Sequence, residues 1–170
     1  MSLRIRFATP NDAETLHRFI VALAEYEREP DAVEVTPTQL RGQLGQERPP
    51  FECLLAEDPE GPPPIARGFA LFFHNYSTWR GRPGLYLEDL FVPQEHRGVG
   101  VGGALLAALA RLACERGCAR MEWWVLDWNR PAIEVYERLG ATAMSEWTTY
   151  RLTDDGLRRL AERGPAIERG

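Results

Sequence analysis

The most constraining feature of the sequence is a glycine-rich turn that runs directly into an amphipathic helix, at residues 95–116 (EHRGVGVGGALLAALARLACER). Leu105, Leu109 and Leu112 recur at the spacing of a helix stripe that packs on a core. Glycines let the backbone approach a ligand closely, and the first turn of a helix adds unpaired N–H groups and the positive end of the dipole. The stretch therefore predicts a phosphate cradle, with Arg97 at its mouth to supply a charge-assisted contact.

The glycine spacing alone leaves the kind of phosphate ligand open. Gly98, Gly100 and Gly103 satisfy the dinucleotide pattern G-x-G-x-x-G, and Glu122 lies about 20 residues further on. However, Glu122 opens the next apolar strand rather than closing it, and too little chain surrounds the motif for two mononucleotide-binding halves. The Walker pattern fails because no Lys-Ser/Thr pair follows the glycines. A turn that only tightens a strand–helix connection is the remaining alternative.

Length and composition favour a single globular domain over residues 1–170, with 44% hydrophobic and 26% charged residues. The net charge of −5 argues against a nucleic-acid surface and is compatible with a cationic substrate. The N-terminal residues are too charged for a signal peptide, and no apolar stretch of about 18 residues occurs, so no membrane association is expected. Cys53, Cys114 and Cys118 show neither disulfide nor zinc spacing, which favours a reducing cytoplasm and no metal site.

Periodicity and turn residues predict an alternating order of strands and helices. Strands are expected over residues 3–7, 51–57, 65–75, 86–92, 120–126 and 142–152, and helices from Thr9 to near Pro30, over 36–45, before Gly117, and over 132–139 and 154–163. The helix between strands 86–92 and 120–126 predicts that these two strands are parallel. The loop of residues 76–83 holds Trp79, which fits a cover for a substrate pocket and a cover for the edge of the core equally well.

Strand 86–92 carries two adjacent acids, Glu88 and Asp89, inside an apolar run. Strict alternation places one set of side chains on one face (Tyr86, Glu88 and Leu90) and the other set on the opposite face (Leu87, Asp89 and Phe91). Burying a carboxylate without a partner is costly, so an acid here is a candidate for a raised pKa and for proton transfer. A structural salt bridge or a loop-capping role is the competing interpretation.

Two segments in the right order resemble the GCN5-related N-acetyltransferases. Residues 97–102 (RGVGVG) match the Arg/Gln-x-x-Gly-x-Gly/Ala pyrophosphate loop of that family, and residues 129–141 (NRPAIEVYERLGA) match its Asn-x-x-Ala-x-x-x-Tyr-x-x-x-Gly segment. The resemblance removes the dinucleotide interpretation. It implies an α/β (α+β) fold, in which helices flank a mixed central sheet of about six to seven strands.

Within that family the chain is most similar to the diamine acetyltransferases. The matching stretches are residues 23–27 (LAEYE), 85–89 (LYLED) and 127–129 (DWN), with Trp79 near Gly81. Residues 76–81 (YSTWRG) and 125–129 (VLDWN) resemble the thialysine-acetylating branch, whereas the polyamine branch tends to carry an acid where Ser77 stands.

The resemblance implies direct transfer of an acetyl group from acetyl-coenzyme A to a primary amine in a ternary complex, with coenzyme A as the product. It implies that Glu88, through a water, is the base or proton relay, and that Tyr136 protonates the leaving thiolate. The implied cofactor-binding residues are Leu90, Phe91, Val92, Arg97, Gly98, Val99, Gly100, Val101, Gly102, Gly103, Asn129, Arg130, Pro131 and Ala132. The implied substrate-binding residues are Tyr26, Glu27, Glu88, Glu122, Trp123 and Trp124.

The expected partners are a small cationic amine and a second copy of the chain, since members of the family are commonly homodimers. No nucleic acid or membrane partner is expected. Two alternatives stay open at this point: acetylation of a protein lysine or an antibiotic amine with the same cofactor machinery, and a catalytically silent coenzyme-A-binding module.

Overall fold

The computed structural model of the protein describes residues 3–60 and 63–165, and the chain divides into two compact units, Met1–Asp127 and Trp128–Gly170. The first unit contains β1 (Arg4–Phe7), α1 (Ala13–Tyr26), α2 (Pro37–Leu44), β2 (Glu52–Asp58), β3 (Ile65–Ser77), β4 (Arg82–Phe91), α3 (Val101–Glu115) and β5 (Met121–Trp123). The second unit contains α4 (Arg130–Arg138) and α5 (Asp154–Ala161). Within the described ranges, none of the helices has the length and apolar character needed to cross a membrane.

The first unit is built on a mixed five-stranded sheet in the order β1-β2-β3-β4-β5. Strands β1 to β4 are antiparallel to their neighbours, and β4 and β5 run parallel with α3 between them in the chain. The prediction of a parallel pair is therefore confirmed. The strand predicted over residues 142–152 is wrong, because these residues form no strand and the described residues of the second unit offer no strand to pair with.

Both faces of the sheet are buried by helices. On one face Phe19 of α1 stacks on Phe69 of β3 with ring centroids 5.7 Å apart, and it also meets Phe91 of β4 at 6.2 Å. Helix α3 lies against β2, β3 and β4 and buries Leu105 and Leu109 completely. The apolar stripe predicted for the helix after the glycine turn is thus the stripe that packs on the sheet.

A β-bulge at Glu88 changes how β4 presents its side chains. Asp89 pairs with Leu71 and Leu87 pairs with Phe72, so Glu88 has no partner on β3. Paired residues share a face and consecutive residues of β3 do not, so Asp89 and Leu87 lie on opposite faces. The predicted alternation, which placed Leu87 and Asp89 on one face, is therefore wrong for the part of β4 that precedes the bulge. The bulge also leaves Glu88 exposed and Leu87 buried.

The same inversion places Tyr86 opposite Phe73, on the face of Asp89 rather than on the face of Leu90. The hairpin between β3 and β4 is longer than predicted, because both strands continue into the expected loop and leave only residues 78–81 as the turn. Trp79 in this turn is 91% exposed, so its predicted role as a cover for the edge of the core is wrong.

Candidate active site

Strand β4 loses one of its two neighbours beyond Leu87. Its parallel pairing with β5 ends at the Leu87–Trp123 pair, one residue before the bulge, so the predicted strand 120–126 is cut short. Its antiparallel pairing with β3 continues to Phe91. In the described part of the chain, no strand pairs with the β5 side of residues 88–91, and the backbone groups along this open edge can pair with an extended ligand as an added strand would. The predicted cofactor residues Leu90 and Phe91 lie on this edge, and Val92 follows it.

The glycine-rich loop of residues 97–103 leads from that edge into α3. Gly98 and Gly100 have φ angles of 79° and 90°, in the left-handed region that favours glycine. The first bond inside the helix joins the Ala104 N–H to the Gly100 carbonyl at 2.9 Å, so the N–H groups of residues 101–103 have no acceptor within α3. A Cβ added at Gly98, Gly100 or Gly103 would meet no surrounding atom within 4 Å. The loop therefore offers backbone donors next to open space, which is the arrangement that binds an anion.

Arg97 at the start of this loop ties the loop to α1 and β4. Its Nε donates to the Val92 carbonyl at 2.8 Å, and its guanidinium lies 4.8 Å from the Tyr26 ring centroid and 5.7 Å from the Phe91 centroid. Such cation–π contacts hold the guanidinium at the junction between the end of α1 and the open edge. The predicted anion contact would therefore come from its terminal nitrogens.

Three carboxylates gather at the open edge. Helix α1 ends at Tyr26, and Glu27 follows it directly, with burial raising the pKa of Glu27. Burial, reinforced by the negative charges of Glu88 and Glu27, raises the pKa of Asp89 to about 6. Glu88 itself is exposed at the bulge. The sequence identified both acids of β4, but it assigned a catalytic and binding role to Glu88 and none to Asp89.

Replacing Asp89 with asparagine is expected to stabilise the protein above pH 6. The folded-state pKa lies above the ordinary value, so the folded state holds more protons between about pH 4 and 6 and stability falls as the pH rises through that window. The loss amounts to about 2 to 3 kcal/mol, at about 1.4 kcal/mol per pH unit between the two pKa values. Thermal unfolding of both proteins at pH 4 and pH 7.5 measures this.

The Asp89→Asn variant should unfold at a higher temperature than the wild type at pH 7.5, and the gap should shrink toward pH 4. The matched control is Asp31→Asn, which changes an exposed carboxylate and should follow the wild type at both pH values. A wild type at least as stable as Asp89→Asn at pH 7.5 would contradict the prediction.

Glu122 on β5 is already engaged by protein donors. Its Oε2 forms an ion pair with Arg120 Nε, 2.8 Å away, and accepts a hydrogen bond from Asn75 Nδ2 at 3.3 Å. Asn75 lies across Gly84 of the neighbouring strand, where an added Cβ would collide with its Oδ1. Neither Asn75 nor Arg120 stood out in the sequence, because only the pairing of β3, β4 and β5 brings them to Glu122.

Aromatic rings line the face of the sheet that carries Glu122. Tyr86 lies beside Phe73 at 5.1 Å between ring centroids and meets Trp124 edge-on at 6.0 Å. Burial and the charges of Glu88 and Glu122 raise the pKa of Tyr86 to about 12, so its ring lies within the electrostatic reach of both carboxylates. Trp124 is 62% exposed and the adjacent Trp123 is half-buried.

The remaining predicted residues lie in the second unit, at the start of α4 and along it. The Asn129 carbonyl accepts from the Ile133 N–H at 3.1 Å, so Asn129 begins the helix and Pro131 stands in its first turn. Ala132 and Tyr136 are four residues apart on one face of α4, and Tyr136 is half-buried. Arg130 next to them is exposed.

A family model described as the Acetyltransferase (GNAT) family matches residues 16–141 of the chain. This range includes the open edge of β4, the glycine loop, β5 and α4. It therefore covers the predicted site residues Tyr26, Glu88 and Tyr136.

Curated proteins match over nearly the full length of the chain. A thialysine N-epsilon-acetyltransferase from Bos taurus is 37% identical over 166 residues, covering 92% of this chain and 96% of the relative. An L-ornithine N5-acetyltransferase from Arabidopsis thaliana is 32% identical over 201 aligned positions, covering 94% of this chain and 88% of the relative. Among solved structures, an integron cassette protein from the mobile metagenome of V. cholerae superposes with a TM-score of 0.77 at 25% identity, covering 95% and 99% of the two chains.

Proposed function

The chain belongs to the Acetyltransferase (GNAT) family and is an N-acetyltransferase, and on that premise we propose that it acetylates a primary amine of a small diamine, polyamine or lysine-like amino acid with acetyl-coenzyme A. One observation carries the proposal. The open edge of β4 leads through Val92 into the glycine loop, and the carboxylates of Glu27, Glu88 and Asp89 flank that edge. Relatives named for thialysine and L-ornithine support a small amino acid as the acceptor.

The residues at the edge and the loop fit the groups of acetyl-coenzyme A. The donors of residues 101–103 and the open space at Gly98, Gly100 and Gly103 suit its pyrophosphate. The open edge at Leu90–Val92 suits the amides of its pantetheine arm. Residues 129–132 are proposed to bind its far side. When bound, acetyl-coenzyme A supplies an acetyl thioester, which is an activated acyl donor.

Glu88 is proposed to accept the proton that the acceptor ammonium must lose before its nitrogen can attack. The bulge projects Glu88 out of the ladder at the point where β4 and β5 part, so an amine entering there meets its carboxylate directly or through a water. Backbone N–H groups at Leu90–Val92 are proposed to stabilise the negative charge that develops on the acyl oxygen. Tyr136 is proposed to protonate the departing thiolate.

The charge and aromatic character of the site favour a cation as the acceptor. Carboxylates of Glu27, Glu88 and Asp89 attract an ammonium group, and the rings of Tyr26, Trp123 and Trp124 suit its methylene chain and its positive charge. Ser77 stands where the polyamine branch tends to carry an acid, and here it is buried with its Oγ accepting from the Arg80 N–H at 3.3 Å. This position therefore holds the hairpin turn, and long polyamines lack the acidic contact it would otherwise supply.

Family resemblance leads us to expect a cytoplasmic homodimer. Light scattering of the purified chain should give about twice the mass of one chain, on the general preference of oligomeric proteins for two-fold dimers. A mass equal to that of one chain would contradict this expectation without affecting the proposed chemistry.

The test of the proposed function is release of free thiol from acetyl-coenzyme A in the presence of single amines. The set comprises thialysine, lysine, short diamines, spermidine and spermine, with a basic peptide as the control acceptor. We expect kcat/KM for thialysine or a short diamine to exceed that for spermidine at least about tenfold, because one lost charged contact in a site corresponds to that factor.

Turnover confined to spermidine and spermine would show that Ser77 does not set the preference. Acetylation of the peptide alone would move the acceptor to protein lysines. Coenzyme A binding without acetylation of any amine would overturn the proposed function.

A further inference from the structure

Arg120 directly precedes β5, contacts Glu122 and has unused hydrogen-bonding capacity. Its Nε forms an ion pair with Glu122 Oε2, and within the described residues its two terminal nitrogens have no hydrogen-bond or ion-pair partner. The side chain is 41% exposed, so these nitrogens can be reached by a ligand. A guanidinium presented in this way binds a carboxylate through two parallel hydrogen bonds.

Glu122 offers the complementary charge at the same place. Its two polar partners, Arg120 and Asn75, both contact Oε2, and Oε1 receives no hydrogen bond from the part of the chain that the structure describes. Asn75 is in turn accommodated only because Gly84 has no side chain. Asn75 thus holds the Arg120–Glu122 pair in place, and the pair leaves a cationic and an anionic group side by side for a ligand.

The distance from this pair to the open edge matches the length of a small α-amino acid that carries a distal amine. Glu122 is paired with Tyr86, and Glu88 follows Tyr86 by two residues, which is about 7 Å along a strand. Both carboxylates act electrostatically on Tyr86, whose ring lies beside Phe73 and Trp124 and gives a chain of methylenes an apolar surface. Five or six bonds of about 1.5 Å each in extended form span about the same 7 Å.

We propose that the Arg120–Glu122 pair recognises the zwitterionic head of an α-amino acid whose distal amine reaches Glu88 and is acetylated there. Arg120 takes the α-carboxylate, and Glu122 positions Arg120 and accepts from the α-ammonium. The inference rests on the proposed function and narrows its acceptor from small diamines, polyamines and lysine-like amino acids to α-amino acids that carry a distal amine. A plain diamine has nothing to offer Arg120.

The experiment compares thialysine with its α-carboxamide, which has the same length and both amines but no negative charge. Steady-state thiol release gives kcat and KM for each acceptor with the wild type, Arg120→Gln, Arg120→Lys and the control Arg111→Gln, an exposed arginine of α3. The wild type should prefer thialysine about 10- to 100-fold in kcat/KM, mainly through KM, as for a charged hydrogen-bonded pair. Arg120→Gln should remove the preference by raising KM for thialysine alone, Arg120→Lys should restore part of it, and Arg111→Gln should keep it.

The outcomes separate this inference from the function it rests on. A wild type that acetylates both acceptors equally well, or an Arg120→Gln variant that keeps the preference, would overturn the role of Arg120 and leave amine acetylation standing. An equal loss toward both acceptors in Arg120→Gln would show a structural role only and would also overturn the proposal. If the wild type acetylated other amines but neither of these two acceptors, α-amino acids with a distal amine would be excluded as substrates. If it acetylated no amine at all, the proposed function itself would be overturned.

Discussion

Replacing Gly100 with asparagine is expected to weaken coenzyme A binding at least about 100-fold, which corresponds to about 2.7 kcal/mol of binding free energy, while leaving the fold intact. Gly100 has a φ of 90°, a conformation that asparagine tolerates far better than other residues with a side chain. A Cβ at this position meets no surrounding protein atom within 4 Å. The added side chain therefore enters open space at the N-terminus of α3, where we propose that the pyrophosphate binds, rather than any part of the core. Titration calorimetry with coenzyme A and thermal unfolding measure the two effects separately.

The matched control for this variant lies at the other end of the same helix. Gly117 follows α3 with a φ of 67°, and a Cβ there also meets nothing within 4 Å, so Gly117→Asn imposes the same backbone demand away from the loop. It should bind coenzyme A as the wild type does. Gly100→Val should lose binding and about 1 to 2 kcal/mol of stability as well, because a β-branched residue is strained in the left-handed region. Wild-type affinity in Gly100→Asn would mean that the glycine loop is only a tight turn.

Features that depend on local spacing could be predicted from the sequence. The glycine loop and α3 follow from glycines that precede an apolar stripe of helical period, and the structure confirms both. The parallel arrangement of β4 and β5 follows from the helix between them. Each of these inferences uses residues close together in the chain, and each concerns an element whose burial is set by its own pattern.

The register of the pairing between strands could not be predicted. The bulge at Glu88 leaves no mark in the alternation of β4, yet it inverts the faces of the strand on its N-terminal side and lies one residue beyond the last pair between β4 and β5. At the bulge Glu88 is exposed, and the neighbouring Asp89 is the half-buried acid whose pKa is raised. The strand expected over residues 142–152 has the right composition, but a strand also needs a neighbour, and composition cannot supply one.

Replacing Tyr136 with phenylalanine is expected to lower kcat about 100-fold or more while changing the KM for acetyl-coenzyme A less than about threefold, as for removal of a general acid. The ring stays and only the hydroxyl is lost, so packing on the half-buried face of α4 is kept. The change removes the proposed proton donor to the leaving thiolate, and no other tyrosine lies on α4, since its residues 130–138 read RPAIEVYER. Steady-state thiol release with a good acceptor gives both constants.

Two further measurements make the assignment of Tyr136 specific. Tyr150→Phe in the same unit removes the hydroxyl of a tyrosine that is 92% exposed, and this control should keep wild-type turnover. An acetyl thioester whose thiol is more acidic needs less help from a proton donor as it departs, so the rate loss in Tyr136→Phe should shrink with such a donor. A loss of the same size with both thioesters would place the effect of Tyr136 in binding or packing, and unchanged turnover with acetyl-coenzyme A would remove Tyr136 from the mechanism.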